Sequence, residues 1–340
     1  MPTFAVSVLL PVYNAAATLD EALHSLAAQT FRDYEVVAVD DGSDDGSLAL
    51  LEAWARREPR LRVLRQPHRG VAAALALGLE ACRAPLVARM DADDRAHPER
   101  LARQAAFLEA HPEVAVLGTR ARLHPNGLRA GGMQAYLDWQ NRLLTDADIR
   151  REIFVESPLV HPSVMFRRSA VRAVGGYQEA PWLEDYDLWL RLYLAGARFA
   201  KLPAVLLDWR DHPQRVTRSD GRASLENLLR LKAHYLARGP LRGRDAVIVW
   251  GAGMAGRRLS KHLLREGVPL TAFVDIDPRK IGRTRRGRPV YAADALPGLW
   301  ARSRNPAVVV AVGARHAREL IRPRLTAWGL TEGRDWWFAA

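Results

Sequence analysis

The strongest constraint on this chain is a series of buried-strand patterns, each ending in carboxylates or glycines at a turn. Residues 5–12, AVSVLLPV, are continuously apolar apart from one serine and close at Pro11. A run of that length, bounded by a turn signal, predicts a strand buried on both faces, as parallel sheets require. Residues 35–39, EVVAV, predict a second strand ending in Asp40-Asp41-Gly42-Ser43, and residues 61–64 a short third. Leu86–Arg89 predicts a fourth, which runs into Met90-Asp91-Ala92-Asp93-Asp94. Helices are expected from Thr18, where Thr18 and Glu21 make a capping-box pattern, and over Ser47–Arg57 and Val71–Cys82. Alternating strands and helices imply a parallel sheet covered on both faces, with ligands at the carboxyl ends of its strands. Both acidic clusters fall at that edge.

Further along, the pattern predicts a helix after residue 99, a strand near 113–118 and a helix over Ile149–Phe154. Gly175-Gly176-Tyr177 reads as a turn, Glu184–Leu194 as a helix ended by Gly196, and 223–237 as an amphipathic helix. Residues 238–244 read as a linker, and at Asp245 the alternation restarts. Strand AVIVW leads into Gly251-Ala252-Gly253-Met254-Ala255-Gly256 and a helix; strand LTAFVD ends at Asp275; strand AVVVAVG precedes a helix from about Ala314. Trp336-Trp337-Phe338 is expected either to pack on this unit or to form a contact surface. A chain of 340 residues accommodates two such α/β domains.

The net charge of +12 comes almost wholly from arginine, because the only lysines are Lys201, Lys232, Lys261 and Lys280. Two readings stand: attraction to anions such as diphosphates or acidic lipid, or the codon bias of a GC-rich genome. The basic residues are spread along the chain without interleaved aromatics, so nucleic acid is not an expected partner. No stretch of about 18 apolar residues predicts a transmembrane helix, and the N-terminus lacks a signal-peptide pattern. A single cysteine, Cys82, suits a reducing cytoplasm, and no His/Cys grouping has zinc spacing.

Five carboxylates at one sheet edge, Asp40, Asp41, Asp91, Asp93 and Asp94, would repel one another unless neutralised. A divalent cation bridging to a diphosphate resolves this, since Mg²⁺ or Mn²⁺ takes one or two carboxylates plus substrate phosphates. In an extended segment the D-x-D spacing points Asp91 and Asp93 to one side. The alternative is that such residues only cap helices and form turns.

PVYNA, VDDGS, MDADD followed by HPERL, and the later HPSVMFRR and EDYDLWLRL together resemble family 2 glycosyltransferases of the GT-A fold, in order, over about residues 5–210. The resemblance implies an inverting, metal-dependent, hexosyltransferase-like enzyme that uses a nucleoside diphosphate sugar, with Mn²⁺ or Mg²⁺ as cofactor. It implies that Pro11, Val12 and Tyr13 line the nucleotide pocket, with Asp41 on the base and Asp91 and Ala92 at the nucleoside. Asp93 and His212 would bind the metal, His212 from a segment that closes over the diphosphate, and Asp185 would be the general base. Glu184 is expected as its partner, His161 at the diphosphate or sugar, and Asp187 and Trp189 at the acceptor. Members often carry an Asn where this chain has RGVAAALALG, so only Arg69 is expected to reach the nucleotide from there.

The expected architecture is thus a GT-A nucleotide-diphospho-sugar transferase domain over 1–238, with a helical extension from about 215, and a smaller Rossmann-like domain over 244–340. In the latter, Gly251, Gly253, Gly256 and Asp275 have the context of a dinucleotide fingerprint, which NAD or another nucleotide would fit. Glycines also serve tight turns and close packing without any ligand. Expected partners are a nucleoside diphosphate sugar and a saccharide or lipid-linked acceptor in polysaccharide or glycolipid assembly. The expected location is cytoplasmic, with peripheral contact at the inner membrane face. A nucleotidyltransferase would need a Gly-rich basic loop after the first strand, and PVYNAAATLD is not one. The other rival is an NAD-dependent oxidoreductase or a nucleotide-binding regulatory protein acting through the C-terminal unit.

Overall fold

The structure, a computed structural model, describes residues 4–124, 131–212, 220–314 and 316–340. It divides into two compact units, Met1–Ile149 with Pro158–Ser219, and Arg150–Ser157 with Asp220–Ala340.

The first unit is built on an eight-stranded mixed sheet. Strands β1 (Val6–Val12), β2 (Tyr34–Asp40), β3 (Leu61–Arg65) and β4 (Leu86–Arg89) are parallel, in the order β3-β2-β1-β4. Every residue of β1 and β2 is buried, and the polar Ser7 and Glu35 among them are satisfied by each other, the Ser7 hydroxyl donating to Glu35 at 2.8 Å. Helices α1 (Ala16–Ala27), α2 (Ser47–Arg57) and α3 (Val71–Ala81) make the crossovers. The short β5 (Arg95–Ala96) and α4 (Arg100–Ala110) lead to β6 (Val114–Leu123), α5 (Gly131–Arg142) and α6 (Asp146–Glu152). Then come β7 (Met165–Arg167), α7 (Arg168–Ala173), α8 (Glu184–Leu194) and β8 (Arg198–Trp209).

Two expectations change here. The sheet is not wholly parallel: β7 runs antiparallel to both β4 and β6, and β5 antiparallel to β8. No β-α-β crossover feeds β7, which the chain enters from the turn at His161–Ser163, so antiparallel pairing is open to it. The capping box does not form. Helix α1 starts at Ala16, where the Asp45 carboxylate accepts the Ala16 N–H at 2.9 Å and Ser47 Oγ accepts that of Ala15 at 2.8 Å. Asn14, in the left-handed region at φ 47°, turns the chain sharply enough to set α1 beside that loop. Thr18 instead donates to the Ala92 carbonyl at 3.0 Å, tying α1 to the acidic turn after β4.

Strand β8 went unpredicted because Lys201 and Pro203 interrupt its pattern. It matters because its end delivers Arg210-Asp211-His212 to the edge where β4 ends. The Lys201 ammonium is buried and donates to the Pro158 and Gln140 carbonyls, and burial lowers its pKa to about 7.

In the second unit β9 (Ala246–Trp250), β10 (Leu270–Asp275), β12 (Arg288–Ala292), β13 (Pro306–Val310) and β14 (Trp336–Phe338) are parallel, in the order β12-β10-β9-β13-β14. The two-residue β11 (Thr284–Arg285) forms a hairpin with β12 at the edge. Helices are α9 (Leu225–Arg238), α10 (Met254–Arg265), α11 (Leu296–Trp300) and α12 (Ala317–Ala327). Trp336-Trp337-Phe338 is a buried edge strand rather than an exposed contact surface. The unit begins earlier than the linker suggested, because α9 packs on α10: Glu226 meets Lys261 at 2.5 Å and His262 at 3.2 Å, and Arg238 meets Glu266 at 2.6 Å. It also incorporates residues 150–157. Glu152 accepts from Arg318 and Arg322, and buried Lys232 donates to the Val155 carbonyl at 2.6 Å. Among the described residues no helix is long and apolar enough to cross a membrane.

Candidate functional site

At the end of β4 the chain keeps its register one residue further, with Met90 N–H donating to the Leu9 carbonyl, then turns. The carboxylates of Asp91, Asp93 and Asp94 converge there, with oxygens within 4.8 Å of one another. They do three different jobs. Asp91 is ion-paired with buried Arg89. Asp94 is buried and accepts the Arg210 N–H at 2.8 Å, while Arg210 Nε donates to the Asp93 carbonyl at 2.8 Å. That clasp brings His212 to Asp93, with Nε2 at 2.9 Å from Oδ2. The partly exposed Asp93 and His212, 119 residues apart in sequence, are therefore neighbours. Carboxylate oxygens with one imidazole form a hard, oxygen-rich donor set that fits Mn²⁺ or Mg²⁺.

At the ends of β1 and β2 the predicted residues separate. Pro11 and Val12 are buried in the strand, whereas Tyr13 is 47% exposed. Its ring stacks on His68, with centroids 3.9 Å apart and planes at 21°. Asp41 is buried and holds the 66–70 loop, accepting from Gln66 Nε2, the Arg69 and Gly70 N–H groups, and His68 Nδ1 at 2.9 Å. The Arg69 side chain reaches away to Glu179, at 2.9 Å.

Helix α8 has Glu184, Asp185 and Asp187 in its first turn, where the macrodipole favours carboxylates. Asp187 is buried and engaged by Trp182 Nε1 and Arg191 Nε, both at 2.8 Å, so it braces the helix. Asp185 is partly exposed and Glu184 is buried. Trp189 is fully buried, its ring meeting the edge of His161. His161 is buried too: its Nε2 lies 2.8 Å from the Tyr177 hydroxyl and its ring edges Trp189. Burial first, and Arg89 second, hold its pKa well below the ordinary imidazole value, so it is neutral near pH 7.

Arg89 joins these parts. Burial disfavours its charge, but Asp91, then Tyr177 and Glu184, raise its pKa overall. The Tyr177 hydroxyl, pushed up mainly by burial, senses Arg89, Glu184 and Asp185. Asp91 and the first turn of α8 thus share one electrostatic neighbourhood. Sequence reasoning missed Arg89, and also Arg100, whose buried guanidinium donates to the Arg89 carbonyl at 2.6 Å and fixes the end of β4. Burial lowers the Arg100 pKa to about 9. It missed Glu21 as well, which accepts from Arg210 at 2.5 Å and His124 at 3.2 Å. The only sequence signal was the place of Arg89 beside MDADD and of Arg100 inside HPERL.

In the second unit the glycine turn closes on itself. A Cβ on Gly256 would sit 1.8 Å from the Gly251 carbonyl oxygen, and one on Gly251 (φ 114°) 2.6 Å from that of Ala311. Gly253 has no such restriction: its nearest neighbour would be Lys280 Nζ at 3.7 Å. Asp275 accepts the Ala252 N–H at 2.7 Å and the Asp277 N–H at 2.9 Å, and pairs with Lys280 at 3.2 Å.

The family description "Glycosyl transferase family 2" matches residues 7–175. The amylovoran biosynthesis glycosyltransferase AmsE of Erwinia amylovora is 34% identical over 247 residues, covering 70% of this chain and 89% of AmsE. This chain belongs to glycosyl transferase family 2. Among solved structures, S. aureus TarS 1–349 in complex with UDP-GlcNAc superposes with a TM-score of 0.57 at 22% identity, over 77% of this chain and 72% of TarS. The mannosyltransferase PcManGT of Pyrobaculum calidifontis, in complex with GDP-Man and Mn²⁺, gives a TM-score of 0.50 at 20% identity, over 69% of this chain and 62% of PcManGT. At those identities the likeness is one of fold: the mixed α/β sheet of GT-A glycosyltransferases. The protein is a glycosyltransferase, and nothing in these likenesses supports the oxidoreductase reading.

Proposed function

We propose that this glycosyltransferase moves a sugar from a nucleoside diphosphate donor to an acceptor hydroxyl with inversion, using the edge formed by β1, β2, β4 and α8. The observation that carries the reading is the Asp93–His212 pair, held by the Asp94–Arg210 clasp at the edge where β4 ends. Asp93 and His212 would hold Mn²⁺ or Mg²⁺, with Asp91 and the Ala92 backbone at the nucleoside. When bound, the metal supplies Lewis-acid stabilisation of the charge that grows on the departing diphosphate. Asp185 accepts the proton of the attacking hydroxyl. Such general-base assistance is typically worth about 10²–10⁴ in rate. Glu184 keeps Asp185 company in the field of Arg89, and neutral His161, bonded to Tyr177, shapes the floor of the site. Tyr13 stacks the base and Asp41 reads it.

The second unit we read as Rossmann-like, which its parallel order β12-β10-β9-β13-β14 supports. Its glycines and Asp275 are accounted for by packing, so a bound NAD or other nucleotide would have to displace Lys280 from Asp275. The acceptor class is a saccharide or lipid-linked saccharide, which the named role of AmsE in amylovoran biosynthesis supports, and it would be handled on the cytoplasmic side with peripheral membrane contact.

Thermal stabilisation by UDP, GDP and dTDP, with and without Mn²⁺, tests the donor site. A ligand at about 100 times its Kd adds about 2.7 kcal/mol. We expect a Mn²⁺-dependent shift with one nucleotide that Asp93→Ala removes. A shift that survives Asp93→Ala unchanged would overturn the metal assignment, and no shift with any nucleotide would overturn the site.

A further inference from the structure

The net charge is not spread along the chain as its sequence suggested. The second unit holds 25 Lys and Arg against 12 Asp and Glu, a balance of +13. The first holds 25 against 26, a balance of −1; together these make the 50 and 38 of the whole chain. A codon bias acting on the whole gene would enrich both units alike, yet arginine makes up 22 of 129 residues in the second unit against 24 of 211 in the first. The first unit's cations are also matched by acids.

Within the second unit the excess gathers along the β12 edge of the sheet and over the carboxyl ends of β9 and β10. Residues 254–288 carry ten Lys and Arg against three acids. Arg257 and Arg258 lie in the first turns of α10, after β9; Arg279, Lys280 and Arg283 follow β10; Arg285, Arg286 and Arg288 form the hairpin of β11 and β12. The hairpin tip is a two-residue turn, with Arg286 at φ 53° and Gly287 at φ 69°, as a type I′ turn requires. Arg286 reaches back to donate to the Arg257 carbonyl at 3.0 Å, and Lys280 lies across the Gly253 turn, so these segments form one surface. Arg257, Arg258, Arg279, Arg283, Arg286 and Arg288 are exposed. Of the acids, Asp275 is buried under Lys280, Asp277 is paired with Arg279, and Glu266 lies at the far end of α10 against Arg238.

Two aliphatic side chains stand out of this basic surface, Met254 at 67% and Ile276 at 72% exposure. They follow β9 and β10, adjacent strands, at the same edge. The only Phe, Tyr or Trp between residues 254 and 288 is Phe273, which is buried, so the surface has no exposed ring on which a nucleic-acid base could stack. Exposed aliphatic groups ringed by arginines, whose long stems can lie along an interface while their heads meet phosphates, match an anionic bilayer instead.

We infer that this face of the second unit docks the protein on an anionic lipid surface, Met254 and Ile276 entering the headgroup layer and the arginines around them contacting lipid phosphates. The inference locates the peripheral membrane contact proposed above. It does not depend on the donor-site assignment, since its test involves no nucleotide.

The test is co-sedimentation of the full chain with vesicles of 30% phosphatidylglycerol in phosphatidylcholine, and with pure phosphatidylcholine. Each basic residue near an anionic surface contributes roughly fivefold to partition, and salt screens it. Binding is expected to the anionic vesicles only and to weaken steeply between about 0.05 and 0.5 M salt. The quadruple variant Arg257→Gln/Arg258→Gln/Arg279→Gln/Arg283→Gln should bind at least tenfold more weakly. Met254→Ser/Ile276→Ser should weaken it less and leave the salt dependence intact. An equal change of charge on the first unit, Arg56→Gln/Arg83→Gln/Arg103→Gln/Arg142→Gln, should have little effect. Equal losses from both quadruple variants, no sedimentation of folded wild type at low salt, or retention on single-stranded RNA without vesicle binding would each overturn the inference. All eight arginines are exposed, and matching unfolding midpoints establish that the variants fold.

Discussion

Both units end buried parallel strands in acid-bearing turns, yet they use those acids in opposite ways. In the second unit Asp275 is consumed by its own scaffold: it accepts two backbone N–H groups and a lysine, and so locks the turn between β9 and α10. In the first unit the Asp93 carboxylate has no backbone donor among the described residues; its partner is His212, brought in by a clasp that Asp94 and Arg210 make. A carboxylate at a strand end is therefore not informative by itself. What separates Asp275 from Asp93 is that local N–H groups already fill the former.

The largest effect is expected of Asp185→Asn, although Asp185 Oδ1 accepts the Tyr186 N–H at 2.7 Å. Turnover should fall by about 10²–10⁴, with nucleotide affinity nearly unchanged, as expected for loss of a proton acceptor used only as the bond forms. Steady-state rates with an identified donor and acceptor, alongside nucleotide thermal shifts, measure the two quantities. A parallel loss of nucleotide affinity would place Asp185 at the donor instead and break the assignment.

A smaller effect is expected from the glycine turn. Gly256→Ala forces a Cβ to within 1.8 Å of a backbone oxygen that cannot yield, and should cost about 3 kcal/mol or more. Gly253→Ala meets only ordinary contacts and should cost less than about 1 kcal/mol. Chemical unfolding of the two variants checks this, and the Mn²⁺-dependent nucleotide shift should survive both. A large loss for Gly253→Ala would mean that the turn is kept open for a ligand, and the contrast between the units would blur.

How much of this was legible follows from the same physics. The strands β1, β2, β4, β9 and β10 were readable because burial on both faces demands unbroken apolar text. Helix α8 was readable within a residue, because Glu184 opens it and Gly196 closes it. The alternation also exposed the acids at the strand ends. Long-range pairings were not readable: Asp94 with Arg210, Glu21 with Arg210, and the Thr18 hydroxyl with the Ala92 carbonyl join residues 74 to 189 positions apart. Local signals misled where tertiary donors took over, as at α1, capped by Asp45 from another loop rather than by Thr18. Charge was misread because a count along the chain hides which cations have acidic neighbours.

The smallest predicted effect concerns His68, which no sequence signal marked. Tyr13 and Asp41 are the groups proposed for the base, and His68 engages both, stacked on Tyr13 at 3.9 Å and bonded to Asp41 at 2.9 Å. Rings at that separation leave no space for a base between them, so a base that stacks on this face of Tyr13 must first displace His68. Aromatic pairs of this kind are worth about 0.5–1.5 kcal/mol beyond area burial. His68→Ala removes that competition and should tighten nucleotide binding by about two- to tenfold, as isothermal titration with the preferred diphosphate would show. Weaker binding by a similar factor would make His68 a wall of the base pocket rather than its occupant. Asp41 is already held by the N–H groups of Arg69 and Gly70, so in either case the first unit uses one of its strand-end acids in the manner of the second.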